Sequence, residues 1–240
     1  MLSNEGSIGQ MATKTTYNNR KGGITMEWFA AIGTIGIVGF ILVILEFVGR
    51  RFGFSPETVR KLIHIAVGHW VFLALLWLDH WYIAIVPLLF FALVNLLTLR
   101  KGIGQMHGVD RPSYGTVYYP LALAGLVLFF FERQPMALVA GSMVLAWGDG
   151  LAALVGKRFG KTFYVRGETK RSFEGSIALF LASFLVLTVT FLFYGQPIWL
   201  AVSYGFLLAN IAALIEAISY RDLDNLILPW TIAALVAFAF

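Results

Sequence analysis

The sequence predicts an all-α, polytopic membrane protein of about eight transmembrane helices, with seven as the alternative. Of the 240 residues, 59% are hydrophobic and only 13% are charged, and the mean hydropathy is +0.78. A soluble domain carries roughly 25% charged residues, so a water-soluble fold could not hide this much apolar surface. The apolar residues also fall into separate runs close to the ~20 residues that cross a bilayer. We therefore expect the bilayer to be the solvent for most of the chain.

The first 25 residues differ from everything after them. They are polar, rich in Gly, Ser, Thr and Asn, and have no apolar period. This composition is typical of a disordered tail, or of an extension that precedes a later start at Met11 or Met26. We expect residues 26–240 to form a single integral membrane domain. Because the chain has no cysteine, disulfides, thiolate metal sites and a cysteine nucleophile are excluded.

Eight apolar segments follow the tail. The uncharged stretch 175–215 is too long for one helix, and the turn-forming residues 194–197 divide it in two. The last segment is short and contains Pro229, which is why seven spans are the alternative. The predicted spans are 28–48, 62–78, 81–99, 115–131, 134–156, 176–194, 198–218 and 225–240.

The basic residues predict the orientation. With eight spans, 14 of the 18 Lys and Arg residues lie on one face, and three of the other four lie in the tail. The positive-inside rule makes the first face cytoplasmic. Because these cations lie in short loops, they suit anionic lipid or polyphosphate better than nucleic acid. The predicted cytoplasmic loops are 49–61, 100–114, 157–174 and 219–224.

The segment SPETVRKLIHIAVG leads into the second span. Ser55 and Pro56 are typical of a helix N-cap and first helical position. Arg60 and Lys61 lie four and three residues before His64, so the three share a helix face. The two cations could simply be positive-inside anchors. An ionisable His64 inside a span is usually functional, although a helix–helix hydrogen bond is the alternative.

The segment WGDGLAALVGKRFGK ends the fifth span. Gly148, Ala152 and Gly156 recur every four residues and predict a smooth strip for close helix packing. Asp149 lies beside this strip, before a basic loop. It could be a structural partner for a cation, but a metal–phosphate site is favoured. The basic loop contains Lys157, Arg158, Gly160 and Lys161.

The segment KRSFEGS begins the sixth span. Lys170 and Arg171 precede Ser172, a typical N-cap, so backbone N–H groups and the helix dipole would join two cations in an anion site. Glu174 has two interpretations. It is either a first-turn acid that favours the helix dipole or a second metal ligand facing Asp149.

Acidic residues cluster where the seventh span ends. Glu216 lies near the cytoplasmic end of that span, and Asp222 and Asp224 follow in the next turn. Asp224 or Asn225 could merely cap the last helix. Together with the two acids above, however, five of the 13 acids lie at one depth. Oxygen-rich clusters beside lysines and arginines suit Mg²⁺ and polyphosphate.

Taken in order, these segments resemble the CTP-dependent lipid-alcohol kinases, which include dolichol, phytol and farnesol kinases and the CTP-dependent diacylglycerol kinase. The phytol kinase branch is the most similar, and phosphatidate cytidylyltransferases share a looser form of the pattern. The resemblance implies transfer of the γ-phosphoryl group of CTP, or of another nucleoside triphosphate, to the hydroxyl of a membrane lipid alcohol. The matching segments are RKLIHIAVG, YYP, GDGLAALVGKRFGK, KRSFEGS and EAISYRDLDNLILP, covering roughly residues 58–240.

This chemistry assigns roles to the polar residues, because phosphoryl transfer depends on positioning and charge neutralisation. Mg²⁺ would be held by Asp149 with Glu174 or Glu216. The predicted catalytic residues are Asp149, His64, Glu216, Asp222 and Asp224. The predicted nucleotide and phosphate ligands are Arg60, Lys61, Gly156, Lys157, Arg158, Gly160, Lys161, Lys170, Arg171 and Ser172.

Two alternatives remain at this level. A CTP:lipid-phosphate cytidylyltransferase would release pyrophosphate and make a CDP-lipid. An anionic-solute transporter would carry polar groups through the full membrane depth, on broken and pseudo-symmetric helices. The predicted polar groups lie at one face, which favours the enzyme.

Overall fold

The structure is a computed structural model and describes residues 23–101, 114–166, 169–220 and 222–240. The predicted tail up to residue 22 and most of the predicted loop 100–114 lie outside the described residues. The helices are α1 (Ile24–Phe52), α2 (Pro56–Gly68), α3 (Trp70–Trp77), α4 (Trp81–Lys101), α5 (Gly115–Phe130), α6 (Pro135–Met143), α7 (Gly150–Phe159), α8 (Phe173–Phe193), α9 (Ile198–Ile218) and α10 (Asp224–Ala239). A π-helical segment (Val144–Asp149) joins α6 to α7, and strands β1 (Phe163–Arg166) and β2 (Thr169–Ser172) form a hairpin.

Six helical segments of the described chain are long and apolar enough to cross a membrane, and two shorter apolar helices accompany them. Each of the eight predicted spans corresponds to one of these segments. The prediction of an all-α polytopic membrane protein is therefore confirmed. The long segments are Ile24–Phe52, Pro56–Trp77, Trp81–Arg100, Pro135–Phe159, Phe173–Phe193 and Ile198–Ile218, and the shorter ones are Gly115–Phe130 and Asp224–Ala239.

The first predicted loop, 49–61, is mostly helical. Helix α1 continues to Phe52, and α2 begins at Pro56, with Ser55 accepting a hydrogen bond from the Thr58 N–H at 3.3 Å. The predicted N-cap at Ser55 and first helical position at Pro56 are therefore confirmed, and the charged residues of the first two turns of α2 are helical although they precede the second predicted span.

Glycines hold the fifth span against its neighbours. A Cβ at Gly148 would lie 2.6 Å from Ser183 Oγ on α8, and one at Gly150 would lie 2.5 Å from Ile65 Cγ1 on α2. A Cβ on Gly156 would lie 2.7 Å from Ser172 Oγ, so the predicted smooth strip does face α8. The π-helical segment ends within this contact, and such segments are frequent at functional sites.

A short antiparallel hairpin occupies most of the predicted loop 157–174. Phe163 is paired with Ser172, and Tyr164 with Arg171. The Phe173 N–H donates to the Thr162 carbonyl at 2.9 Å, which joins the hairpin base to the start of α8. Strands of four residues leave too short a pattern to be recognised in a sequence. The hairpin places β2 over the charged ends of the helices.

Candidate active site

A cavity of about 320 Å³ lies among the charged ends of α2, α7, α9 and α10, with β2 and the start of α8 on one side. Most of the predicted site residues line it, although they come from four separate segments of the sequence. Those that line it are Arg60, Lys61, Asp149, Gly156, Lys157, Lys170, Arg171, Ser172, Glu216, Asp222 and Asp224.

Five predicted residues do not line this cavity. Arg158 is exposed, and Lys161 and Gly160 lie farther along the same loop. His64 is buried one helical turn below the cavity, beneath Lys61. Glu174 is half-buried and accepts a hydrogen bond from the Thr162 backbone N–H at 3.3 Å, so its carboxylate holds the hairpin base.

Buried Lys61 and Asp149 form the central ion pair. The Lys61 Nζ lies 2.5 Å from Asp149 Oδ2, and the two side chains are 4% and 6% exposed. The Nδ1 of His64 lies 3.8 Å from the same oxygen. The Oδ1 of Asp149 accepts no hydrogen bond from any described residue. Asp149 therefore connects the cavity to His64 while keeping one oxygen available.

A second group of charged residues lies at the N-terminal end of α2. Arg60 is buried and bonds Glu57 at 2.7 Å, with Asp222 of the α9–α10 turn 3.8 Å away. The Lys157 ammonium donates to Ser55 Oγ, which joins the end of α7 to the start of α2. These contacts connect α2, α7 and the α9–α10 turn beside the cavity.

Arg171 occupies the opposite side and joins the hairpin to α9 and α10. Its guanidinium donates to Glu216 and, at 2.9 Å, to Asp224 Oδ2. Ser176 donates to Glu216 Oε2 at 3.0 Å, with the Tyr164 hydroxyl 3.4 Å away. Burial alone would lower the pKa of Arg171, but the charges of Asp224 and Glu216 raise it above its ordinary value. Arg171 therefore stays charged and engaged by protein carboxylates.

Two lysines in the cavity wall have no carboxylate partner among the described residues. Lys157 is exposed and bonded only to a hydroxyl. Lys170 is also exposed, and its ammonium lies 4.0 Å from the centre of the Phe163 ring. Unlike Lys61 and Arg171, these two cations are available to an anionic ligand.

Two of the lining residues with polar side chains, Glu57 and Asn225, were not predicted as site residues. Asn225 is 1% exposed, and its Oδ1 has no hydrogen-bond partner among the described residues. In the sequence it is indistinguishable from a helix cap, yet in the described part of the chain no side chain caps α10. The feature of the sequence that could have identified Asn225 is its position directly after Asp224, in a short segment where Asp222, Asp224 and Asn225 all carry side-chain oxygens.

The ordered motifs and this cavity can be compared with known proteins. Over 218 residues the chain is 37% identical to the phytol kinase of a Synechocystis strain, which covers 88% of this chain and 91% of that protein. The chain belongs to the phytol kinase family. It is therefore a lipid-alcohol kinase, and the resemblance to the phytol kinase branch is confirmed.

Plant proteins extend the comparison. The chain is 30% identical over 186 residues to the chloroplastic farnesol kinase of Arabidopsis thaliana, covering 68% of this chain and 57% of that one. It is also 30% identical over 200 residues to the probable phytol kinase 1 of rice, covering 71% and 60%. The chain thus spans about 60% of these plant relatives' length. No profile of a protein family and no solved structure matches the chain.

Proposed function

We propose that this kinase transfers the γ-phosphoryl group of a nucleoside triphosphate, CTP in the first instance, to the hydroxyl of an isoprenoid alcohol in the membrane. The observation that carries the proposal is the cavity of about 320 Å³, in which cations without carboxylate partners lie beside buried acids at one end of an apolar helical bundle. Relatives named phytol kinase and farnesol kinase support the acceptor class.

Lys157, Lys170 and the start of α8 would bind the triphosphate. Both lysines line the cavity, and Ser172 accepts a hydrogen bond from the Gly175 N–H at 3.0 Å. A helix N-terminus favours anions, and two ammonium groups add charge where the phosphates would lie. The paired Lys61 and Arg171 would hold the acids in position.

The cavity residues also fit Mg²⁺. No three His, Asp or Glu side chains of the described chain converge as a ready metal cage. Mg²⁺ is usually bound through one or two carboxylates plus substrate phosphates, so such a cage is not required. Among the described residues of the cavity wall, Asp149 and Asn225 each have an Oδ1 that accepts no hydrogen bond, whereas Arg171 and Ser176 already engage Glu216. When bound, Mg²⁺ supplies neutralisation of the phosphate charge.

His64 is the candidate base for the acceptor. The oxygen of the alcohol forms a bond to the γ-phosphorus, the bond to the β-phosphate oxygen breaks, and the nucleoside diphosphate leaves. The hydroxyl proton passes to a ring nitrogen of His64, and the nearby Asp149 carboxylate, 3.8 Å from Nδ1, stabilises the resulting imidazolium.

We place the cavity on the cytoplasmic face, because 14 of 18 basic residues belong to that side of the predicted topology. Arg133 and Arg158 are both exposed and flank the two ends of the span Pro135–Phe159. The chain has no natural cysteine, so single cysteines at these positions report cleanly. A membrane-impermeant maleimide is expected to label position 158 only from the cytoplasmic side and position 133 only from outside. Labelling of both from one side would overturn the orientation.

The products decide the reaction type. Purified protein in mixed micelles is incubated with labelled CTP, ATP or UTP and with phytol, farnesol, a long polyprenol or diacylglycerol. The expected products are an isoprenoid monophosphate and CDP. Parallel reactions contain phosphatidate or an isoprenoid monophosphate in place of the alcohol. Release of pyrophosphate with a CDP-lipid in these reactions would identify a cytidylyltransferase, and the absence of products with every alcohol would overturn the proposed function.

The loop lysines separate nucleotide binding from membrane anchoring. We expect Lys157→Ala and Lys170→Ala each to raise the KM for the nucleotide about 10- to 100-fold, since a charge-assisted contact contributes roughly 1.5–3 kcal/mol. The KM for the alcohol is expected to change little. Arg158→Ala and Lys161→Ala are matched controls, because these cations lie in the same loop but do not line the cavity. Equal behaviour of all four variants would indicate anchoring instead.

A further inference from the structure

Two buried polar side chains lack partners on the side of Asp149 away from the large cavity. Both ring nitrogens of His64 and the hydroxyl of Thr116 are buried without a hydrogen-bond partner among the described residues. Each residue is 3% exposed. An unsatisfied buried polar atom is destabilising by roughly 1–3 kcal/mol, so such atoms require an explanation. A ligand hydroxyl would satisfy them.

These two side chains line a small cavity of about 40 Å³ among α1, α2, α4 and α5. Its remaining walls are mainly apolar, with Asn95 and Tyr119 as the other residues that carry polar groups. The Asn95 amide donates to the Thr116 carbonyl at 2.8 Å, and the Tyr119 ring stacks on His64 at 4.2 Å. The cavity is therefore a rigid compartment that accepts a small polar group and an apolar continuation.

A longer cavity of about 270 Å³ continues from the first along α1, α2 and α3. The two share Val38 and Val67 in their walls. Beyond these valines the longer cavity is lined by apolar residues such as Ile41 and Leu73, with His69 as its one strongly polar lining residue. Because they share these two valines, the two cavities adjoin each other, and we refer to the pair of cavities beside His64 as the groove.

We infer that this groove is the acceptor site, and that it binds a single-chain isoprenoid alcohol with its hydroxyl between His64 and Thr116. The inference rests on the proposed function and extends it by locating the substrate. A single polar end, formed by His64 and Thr116, beside one set of apolar walls matches an alcohol with one hydroxyl and one apolar chain. His64 lies 3.8 Å from Asp149, so a hydroxyl held there lies beside the phosphate cavity.

The groove also has access to the bilayer. Ile37 of α1 and Phe72 of α3 line the longer cavity and are 36% and 38% exposed. Helix α1 is the least enclosed of the long spans, with only 17% of its apolar window buried. An isoprenoid alcohol in the lipid therefore enters sideways between α1 and α3, while the nucleotide enters from water at the opposite end of His64.

Filling the groove tests this assignment. We expect Val38→Phe and Val67→Phe to raise the KM for farnesol and phytol at least tenfold and to leave the KM for the nucleotide unchanged. Val43→Phe is the matched control, because Val43 lies on α1 five residues from Val38 and is 68% exposed. Val67 is only half-buried, so its variant serves if the Val38 variant does not fold.

A direct binding measurement separates failure of the site from failure of the function. A farnesol analogue with a photoreactive diazirine is cross-linked to the wild-type protein in micelles without nucleotide. Labelled peptides are expected from α1 and α2, with labelling lost in Val67→Phe and kept in Val43→Phe.

If alcohols are phosphorylated but the label lies elsewhere and the phenylalanine variants behave like the control, the groove is not the acceptor site. Labelling in the groove without phosphorylation of any alcohol would instead overturn the proposed function. The same cross-linking is repeated with unlabelled farnesol or diacylglycerol as a competitor. If diacylglycerol reduces the labelling more than farnesol does, the assignment to a single-chain alcohol is wrong.

Discussion

Asp149→Asn is expected to lower kcat for alcohol phosphorylation by about 100-fold or more, in protein that stays folded in detergent. Asparagine keeps the shape of the side chain but removes the charge next to Lys61 and His64. An acid–base contribution alone is typically worth 10²–10⁴-fold. The proposed loss of a phosphate-bridging metal ion adds to it. The change in kcat is obtained from the rate of alcohol phosphorylation at saturating CTP and alcohol, divided by the amount of monodisperse protein.

The buried ion pair requires a control, because Asp149→Asn also leaves Lys61 without its partner. The double variant Asp149→Asn/Lys61→Gln removes both charges and is expected to recover stability without recovering activity. Glu27→Gln is a matched variant, since Glu27 is another buried carboxylate, paired with His80 at 2.8 Å and absent from the cavity wall. It should retain the kcat of the wild type. Restored turnover in the double variant would make Asp149 a structural residue only.

Arg171→Leu is expected to destabilise the protein by about 3–5 kcal/mol, the range for breaking a buried ion pair by removing one partner. Arg171 is the cation that faces both Glu216 and Asp224, which are 6% and 8% exposed. Without it, two buried carboxylates repel each other and would also repel the nucleotide. Unfolding in mixed micelles with rising dodecyl sulfate measures the loss, and the KM for the nucleotide is expected to rise in parallel.

Charge removal on the partners separates this effect from general damage to the hairpin. Arg171→Leu/Glu216→Gln/Asp224→Asn replaces the whole buried cluster by neutral groups and is expected to recover much of the lost stability. Arg158→Leu, an exposed arginine nearby, should stay within about 0.5 kcal/mol of the wild type. If the triple variant is less stable than Arg171→Leu, the carboxylates contribute through contacts other than the ion pairs.

Which charges remain for the substrate could not be predicted from the sequence. Arg171 was grouped with Lys170 as a phosphate ligand because both precede the predicted N-cap Ser172. The side chains of Lys170 and Arg171 diverge, since neighbouring residues in a strand point to opposite faces. Arg171 forms ion pairs with carboxylates that lie 45 and 53 residues away in the sequence. Lys61 is likewise paired with a residue 88 positions distant. Pairing depends on which helices are neighbours and how each is rotated, and neither is encoded locally.

The sequence by itself determined the solvent of the protein, its spans and the set of charged segments that meet at one end. These properties are local, because each spanning helix satisfies its own backbone hydrogen bonds and must be apolar over about 20 residues. The ordered motifs also determined the family. Only the tertiary structure decided that the candidate site residues share one cavity and that Glu174 lies outside it. It also decided that Lys157 and Lys170 are lining lysines with no carboxylate partner among the described residues. The groove at His64 was equally hidden, because an apolar side chain that lines a cavity and one that faces lipid are alike until the helices pack.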